Sequence, residues 1–166
     1  MLGAVDALAG LVPVSETYAL LPVEQAFTWS PAAEVMPPGE WYMVAFRSIR
    51  RAGADERRLS QLDDRAHAEA EGAPGFVHYF KGPTAPDGSC LSFCLWTSRA
   101  TARAAAGRPA HSRAAGRVHE MYEQYRLEFL RVRRETAGAL LFEPWDPVAD
   151  ETTSAAPMLS PRPISS

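Results

Sequence analysis

Four histidines, two cysteines and a scatter of carboxylates are the residues of this 166-residue chain with the chemistry to move protons or hold a ligand. His111 stands two places after Pro109, on the helical turn that also presents Ala114, Ala115 and Val118. An imidazole titrates near neutrality, so His111 is a candidate general base or ligand contact in a pocket between helix and sheet. Its plainer role is a half-buried histidine bonded to backbone beside a helix break. His67 follows Asp63 at helical spacing, which offers an Asp–His contact able to orient the ring for proton transfer. A solvated surface pair has the same spacing. Trp96, Tyr79 and His78 are candidate substrate-binding walls, although aromatic side chains in strands ordinarily pack in cores. Alternation places Phe76, His78 and Phe80 on one strand face and Val77 and Tyr79 on the other, so His78 and Tyr79 are not expected to share a pocket.

Other chemistries find little footing. The histidines at 67, 78, 111 and 119 have no metal-ligand spacing, so no metal site is expected, and no cofactor. No glycine-rich phosphate loop and no nucleophile elbow occur. Cys94 lacks an identifiable base. Cys90 and Cys94, four apart in one predicted strand, lie roughly 13 Å apart and cannot bridge. They read as reduced thiols, which points to a cytoplasmic protein. A formal net charge of −3 gives no electrostatic footprint for nucleic acid or an anionic membrane. The apolar stretch 2–14 carries Asp6, is cut by Pro13 and lacks a basic start, so it reads as neither signal peptide nor membrane span.

The elements that must position these residues follow in order. Residues 1–40 are rich in Pro and Ala without a sustained period and read as an N-terminal arm, with Phe27 and Trp29 as docking aromatics. The domain proper spans 41–145. Its first strand, 41–50, is apolar on both faces and must be covered on both sides. A helix over 54–71 ends at Gly72 and Pro74. Strands over 75–81 and 90–96 flank a turn, a helix from 100 to about 122 is broken at Gly107-Arg108-Pro109, and a strand over 125–133 closes the unit. Leu140 to Phe142 offers a short extra strand. Residues 146–166 read as a disordered tail. The order β-α-β-β-α-β is the ferredoxin-like α+β plan, an antiparallel four-stranded sheet with both helices on one face. The other face is apolar in every strand and predicts a homodimer in which two sheets enclose a barrel.

Leu95-Trp96-Thr97-Ser98, followed by the Ala-rich helix with Pro109-Ala110-His111, resembles the antibiotic-biosynthesis-monooxygenase-like domains of the dimeric α+β barrel superfamily, over roughly 41–135. Pro38-Gly39-Glu40-Trp41-Tyr42, Phe46-Arg47-Ser48, Ala66-His67 and Glu120-Met121-Tyr122-Glu123 look more closely like a related family of uncharacterised proteins. The superfamily resemblance implies a small aromatic or polyketide-like ligand, with cofactor-independent oxygenation or isomerisation as the candidate reactions. Haem-degrading members use an Asn, a helical Trp and a His. Only the His has a counterpart, His111, since the chain contains no asparagine and Trp96 precedes the helix. A small-molecule enzyme therefore ranks first, a non-catalytic ligand-binding or structural homodimer second, and a haem-binding protein third.

Overall fold

The strand β1, Gly39–Arg50, carries both layers of the molecule. Tyr42 and Val44 point to one face, Met43 and Ala45 to the other, and all four are buried. The computed structural model describes residues 3–145, so the expected disordered tail, 146–166, lies outside the described residues. Before β1 come α1 (Ala4–Ala9), a 3-10 turn (Tyr18–Leu20), α2 (Val23–Ala26) and α3 (Ser30–Val35). After it come α4 (Glu56–Glu71), β2 (Phe76–Phe80), β3 (Ser89–Trp96), α5 (Arg99–Ala106), α6 (Pro109–Gly116), α7 (Val118–Met121), β4 (Tyr122–Arg134) and β5 (Leu141–Pro144). The sheet order is β2-β3-β1-β4-β5 with every pairing antiparallel. This is the ferredoxin-like α+β arrangement, extended by one short edge strand.

Local chemistry sets the helix limits. Asp55 caps α4 by accepting from the Arg58 amide at 3.1 Å, and Ser98 caps α5 by accepting from the Thr101 amide at 3.2 Å. α5 stops at Gly107, and Pro109 opens α6 at a position where no backbone N–H is needed. Gly75, at φ +80°, lets β2 begin against α5, because a Cβ there would fall 2.5 Å from the Thr101 side chain.

The face of the sheet turned away from α4–α7 is covered by residues 4–36. Phe27 is the hub: its ring lies 5.4 Å from Tyr18, 5.8 Å from Trp29, 5.1 Å from Phe80 and 6.1 Å from Phe93. Polar ties finish the contact. The Tyr18 hydroxyl donates to the Pro83 carbonyl at 2.6 Å and accepts from the Leu91 amide at 3.3 Å. Arg47 donates to the Ala19 carbonyl and, through Nε, to Glu128, both at 2.6 Å. The apolarity of this face predicted a facing sheet from a second copy. In the structure residues 4–36 of the same chain take that place, and a barrel closed on this face would first have to displace them.

Truncating Phe27 to Ala should therefore lower the unfolding free energy by about 3–5 kcal/mol, measured by urea unfolding. A loss no greater than that of an ordinary surface substitution would show that the segment is not part of the cooperative core.

Candidate functional site

On the opposite face a cavity of about 470 Å³ lies between the sheet and α4, α6 and α7. Phe46 and Ser48 of β1, Tyr79 of β2, Cys94 and Trp96 of β3 and Tyr125 of β4 form its floor. Leu62, Ala66 and Ala70 of α4, with His111, Ala114 and Ala115 of α6, form its roof. Two wider recesses, about 710 and 720 Å³, bring no histidine to their walls.

Two β-bulges decide which aromatics face the cavity. In β2, Phe76 pairs with Trp96 and Tyr79 with Cys94, the register shifting between Phe76 and His78. Phe76 and Tyr79 therefore share the helix side despite their spacing of three, whereas His78 pairs with Leu95 on the side of the N-terminal segment. This corrects the simple alternation, which grouped Phe76 with His78. At the start of β4 a second shift pairs Tyr122 with Arg50 and Tyr125 with Ser48, so both tyrosines turn to the cavity. Their rings lie 5.4 Å apart.

Asp63 is engaged across the cavity rather than along its own helix. It accepts from the Tyr79 hydroxyl at 3.0 and 3.3 Å, and its Oδ2 lies 3.1 Å from the Lys81 ammonium. His67 pairs instead with Glu71, Nε2 to Oε1 at 3.2 Å, and packs its ring 4.8 Å from that of Tyr79. The expected Asp63–His67 contact does not form, because a buried phenol and a lysine offer Asp63 stronger donors. Burial, aided by the neighbouring Asp63, pushes the Tyr79 phenol far above its usual range. Burial likewise raises Tyr122 to about 12 and Tyr125 further. Cys94 rises to about 12 for the same reason, so it is a buried thiol and not a thiolate nucleophile.

His111 enters from the roof. The Glu69 carboxylate of α4 caps α6, accepting from the Ala110 amide at 3.1 Å and the His111 amide at 3.3 Å. This fixes the first turn of α6 against α4 and holds His111 at the cavity wall. Burial lowers the His111 pKa, with Glu69 opposing in part, so the imidazole is neutral at pH 7 and able to accept a proton.

A family model described as PB2B2.08-like matches residues 3–143, which takes in the N-terminal segment, the sheet and the cavity. The chain belongs to the PB2B2.08-like family. UPF0643 protein PB2B2.08 of Schizosaccharomyces pombe is 29% identical over 140 residues, a match covering 74% of this chain and 64% of that protein. Among solved structures, SnoaB, a cofactor-independent oxygenase from Streptomyces nogalater, is 17% identical with a TM-score of 0.45, over 60% of this chain and 96% of that one. Protein SO0527 from Shewanella oneidensis is 12% identical with a TM-score of 0.49, over 55% and 90%.

In this PB2B2.08-like chain the cavity brings together His111, His67, Asp63, Tyr79 and Trp96 of the residues singled out from sequence, and leaves out His78. Sequence reasoning missed Lys81, Tyr122 and Tyr125. The first sits at a strand end with no motif around it, and the tyrosines reach one face only through a bulge. Among the described residues no three or more His, Cys, Asp or Glu side chains converge to hold a metal, and no helix is long and apolar enough to cross a membrane.

Two imidazoles, His78 and His111, are held below their ordinary value near 6.5 by burial. As pH falls through that value the unfolded chain takes up their protons first, so stability drops as pH falls and is unaffected by them above it. The urea midpoint should decline from pH 7 to pH 5, and His78→Phe and His111→Gln should each flatten that decline. Glu128 titrates in a separate, lower window: burial raises it, and Arg47 and Arg126 more than offset this.

Proposed function

We propose that the cavity binds a planar, mainly apolar small molecule bearing an acidic hydroxyl or enol, and that His111 accepts its proton. The observation that carries this is the neutral His111 imidazole at the wall of a mainly apolar, tyrosine-lined cavity of about 470 Å³, a volume in the range of small-molecule sites. The remaining polar groups suit such a ligand. Tyr122 and Tyr125 are neutral phenols that can donate to a carbonyl, and the Tyr79 oxygen, its proton given to Asp63, can accept from a hydroxyl. Removing the hydroxyl proton of an electron-rich hydroxyaromatic prepares it either for reaction with dioxygen or for return of the proton to a ring carbon as the keto tautomer, so cofactor-independent oxygenation and isomerisation are the two reactions this arrangement favours. SnoaB, a cofactor-independent oxygenase by name, lends its chemistry as a precedent for the first.

The second reading is a binding protein without turnover. It is favoured by the pairing of Asp63 with Tyr79 and Lys81, which withdraws that carboxylate from His67 and leaves its ring tied to Glu71 instead. Pairing of two copies, should either reading require it, would use a surface other than the face filled by residues 4–36.

A hydroxyanthraquinone such as alizarin, whose visible band moves to longer wavelength on ionisation, separates these readings. Titration should saturate with a red shift near pH 6, and His111→Gln should keep binding while losing the shift. Saturation without a shift and without oxygen uptake would establish the binding reading. An absence of binding would overturn both.

A further inference from the structure

The charge around the cavity runs against that of the chain. The formal net charge is −3, yet the charged side chains on the cavity wall are Arg50, Lys81 and Asp63, two cations to one carboxylate. The carboxylate is already occupied, since Asp63 takes the Tyr79 hydroxyl at 3.0 Å and the Lys81 ammonium at 3.1 Å. Tyr79 has thereby spent its one proton and offers no donor to an anion. Lys81 has three, and one suffices for Asp63. Arg50 pairs at 3.0 Å with Glu56, which does not itself line the cavity. Lys81 is the only lysine among 17 basic residues, and it is exposed where β2 opens into the turn to β3, at the edge of the cavity.

The root of that lysine is fixed. A Cβ on the next residue, Gly82, would fall 2.0 Å from the Leu91 carbonyl oxygen and 2.5 Å from the Tyr18 hydroxyl. The Gly82 amide donates to Ser92 Oγ at 3.0 Å, and its carbonyl accepts from the Cys90 thiol at 3.2 Å. The turn is therefore pressed against β3 and Tyr18, and the ammonium swings from a stationary base. Thr84, further along the same turn, adds a hydroxyl to the wall.

We propose that Lys81, with Thr84 on the same turn, is a head-group site for a carboxylate, so that the ligand of the cavity is an apolar monocarboxylic acid with its ring system inside and its anion at the mouth. The assignment rests on the cavity being a ligand site, as proposed above, and adds the class of ligand. With Arg50 matched by Glu56 and Asp63 shared between Lys81 and the Tyr79 hydroxyl, the spare donors of the lysine ammonium are what the cavity mouth offers an anion, and a compact ammonium suits one anionic group without demanding a planar fork.

The test pairs 2-naphthoate with 2-naphthamide, the same ring body with and without charge, titrated by calorimetry into the full chain and into Lys81→Met. Naphthoate should bind about tenfold more tightly than the amide, as expected for a charge-assisted contact. The preference should shrink with added salt and collapse in Lys81→Met. In the wild-type chain, saturating naphthoate should slow acetylation of Lys81 by N-acetoxysuccinimide several-fold, read by peptide mass, while the amide should not. Equal binding of the two compounds, or a preference that survives Lys81→Met, would overturn the carboxylate site while leaving the cavity a ligand site. Failure of both compounds to bind would overturn the cavity reading and this assignment together.

Discussion

A strand that is apolar on both faces must be covered on both faces, and β1 imposes that requirement on everything around it. Tyr42 and Val44 cannot be left to water on one side, nor Met43 and Ala45 on the other. The two covers differ in kind. The N-terminal segment brings large rings, Tyr18, Phe27 and Trp29, which interlock with Phe80 and Phe93 and fill the space. The helices bring alanines, Ala66 and Ala70 from α4 and Ala114 and Ala115 from α6, whose methyl groups are too short to reach the floor beneath them. Protein interiors close-pack when side-chain volume permits, and here it does not permit on the helix side. The cavity follows from that difference in side-chain size.

What makes the void chemically specific is a set of small departures from regularity. A bulge in β2 turns Tyr79 inward and His78 outward, and a bulge between β1 and β4 turns two tyrosines inward where one would be expected. The break at Gly107 to Pro109 restarts the helix, and a carboxylate from α4 holds the new start, so His111 arrives on a helix tied to its neighbour rather than on a free turn. Each device costs some regular pairing and places one functional group.

The β-α-β-β-α-β order was legible because β1, α4 and β3 carry strong periodic or two-sided apolar patterns and because Gly72, Pro74 and Gly107-Arg108-Pro109 punctuate them. His111 was legible as a residue of interest from its place after that break. The docking of the N-terminal segment through Phe27 and Trp29 was legible, but its helices and the extent of the face they cover were not, because helices of four to six residues leave no period to detect and are held by tertiary contact. The partner of Asp63 was misread for a related reason: His67 is near in sequence, but Tyr79, sixteen residues on, is nearer in space once α4 lies on β2. Bulges have no local signature strong enough to shift an alternation by one, so the faces of His78, Tyr122 and Tyr125 could not be assigned beforehand.

The tether between the N-terminal segment and the sheet has a thermodynamic consequence. Only Met36, Pro37 and Pro38 separate α3 from β1, so the cover is held beside its face at a high effective concentration, by a linker that two prolines keep short and stiff. Closing that face is consequently a unimolecular event. Mass action has no hold on it, and dilution cannot strip the cover from the sheet as it can when the same kind of face is closed by a separate molecule.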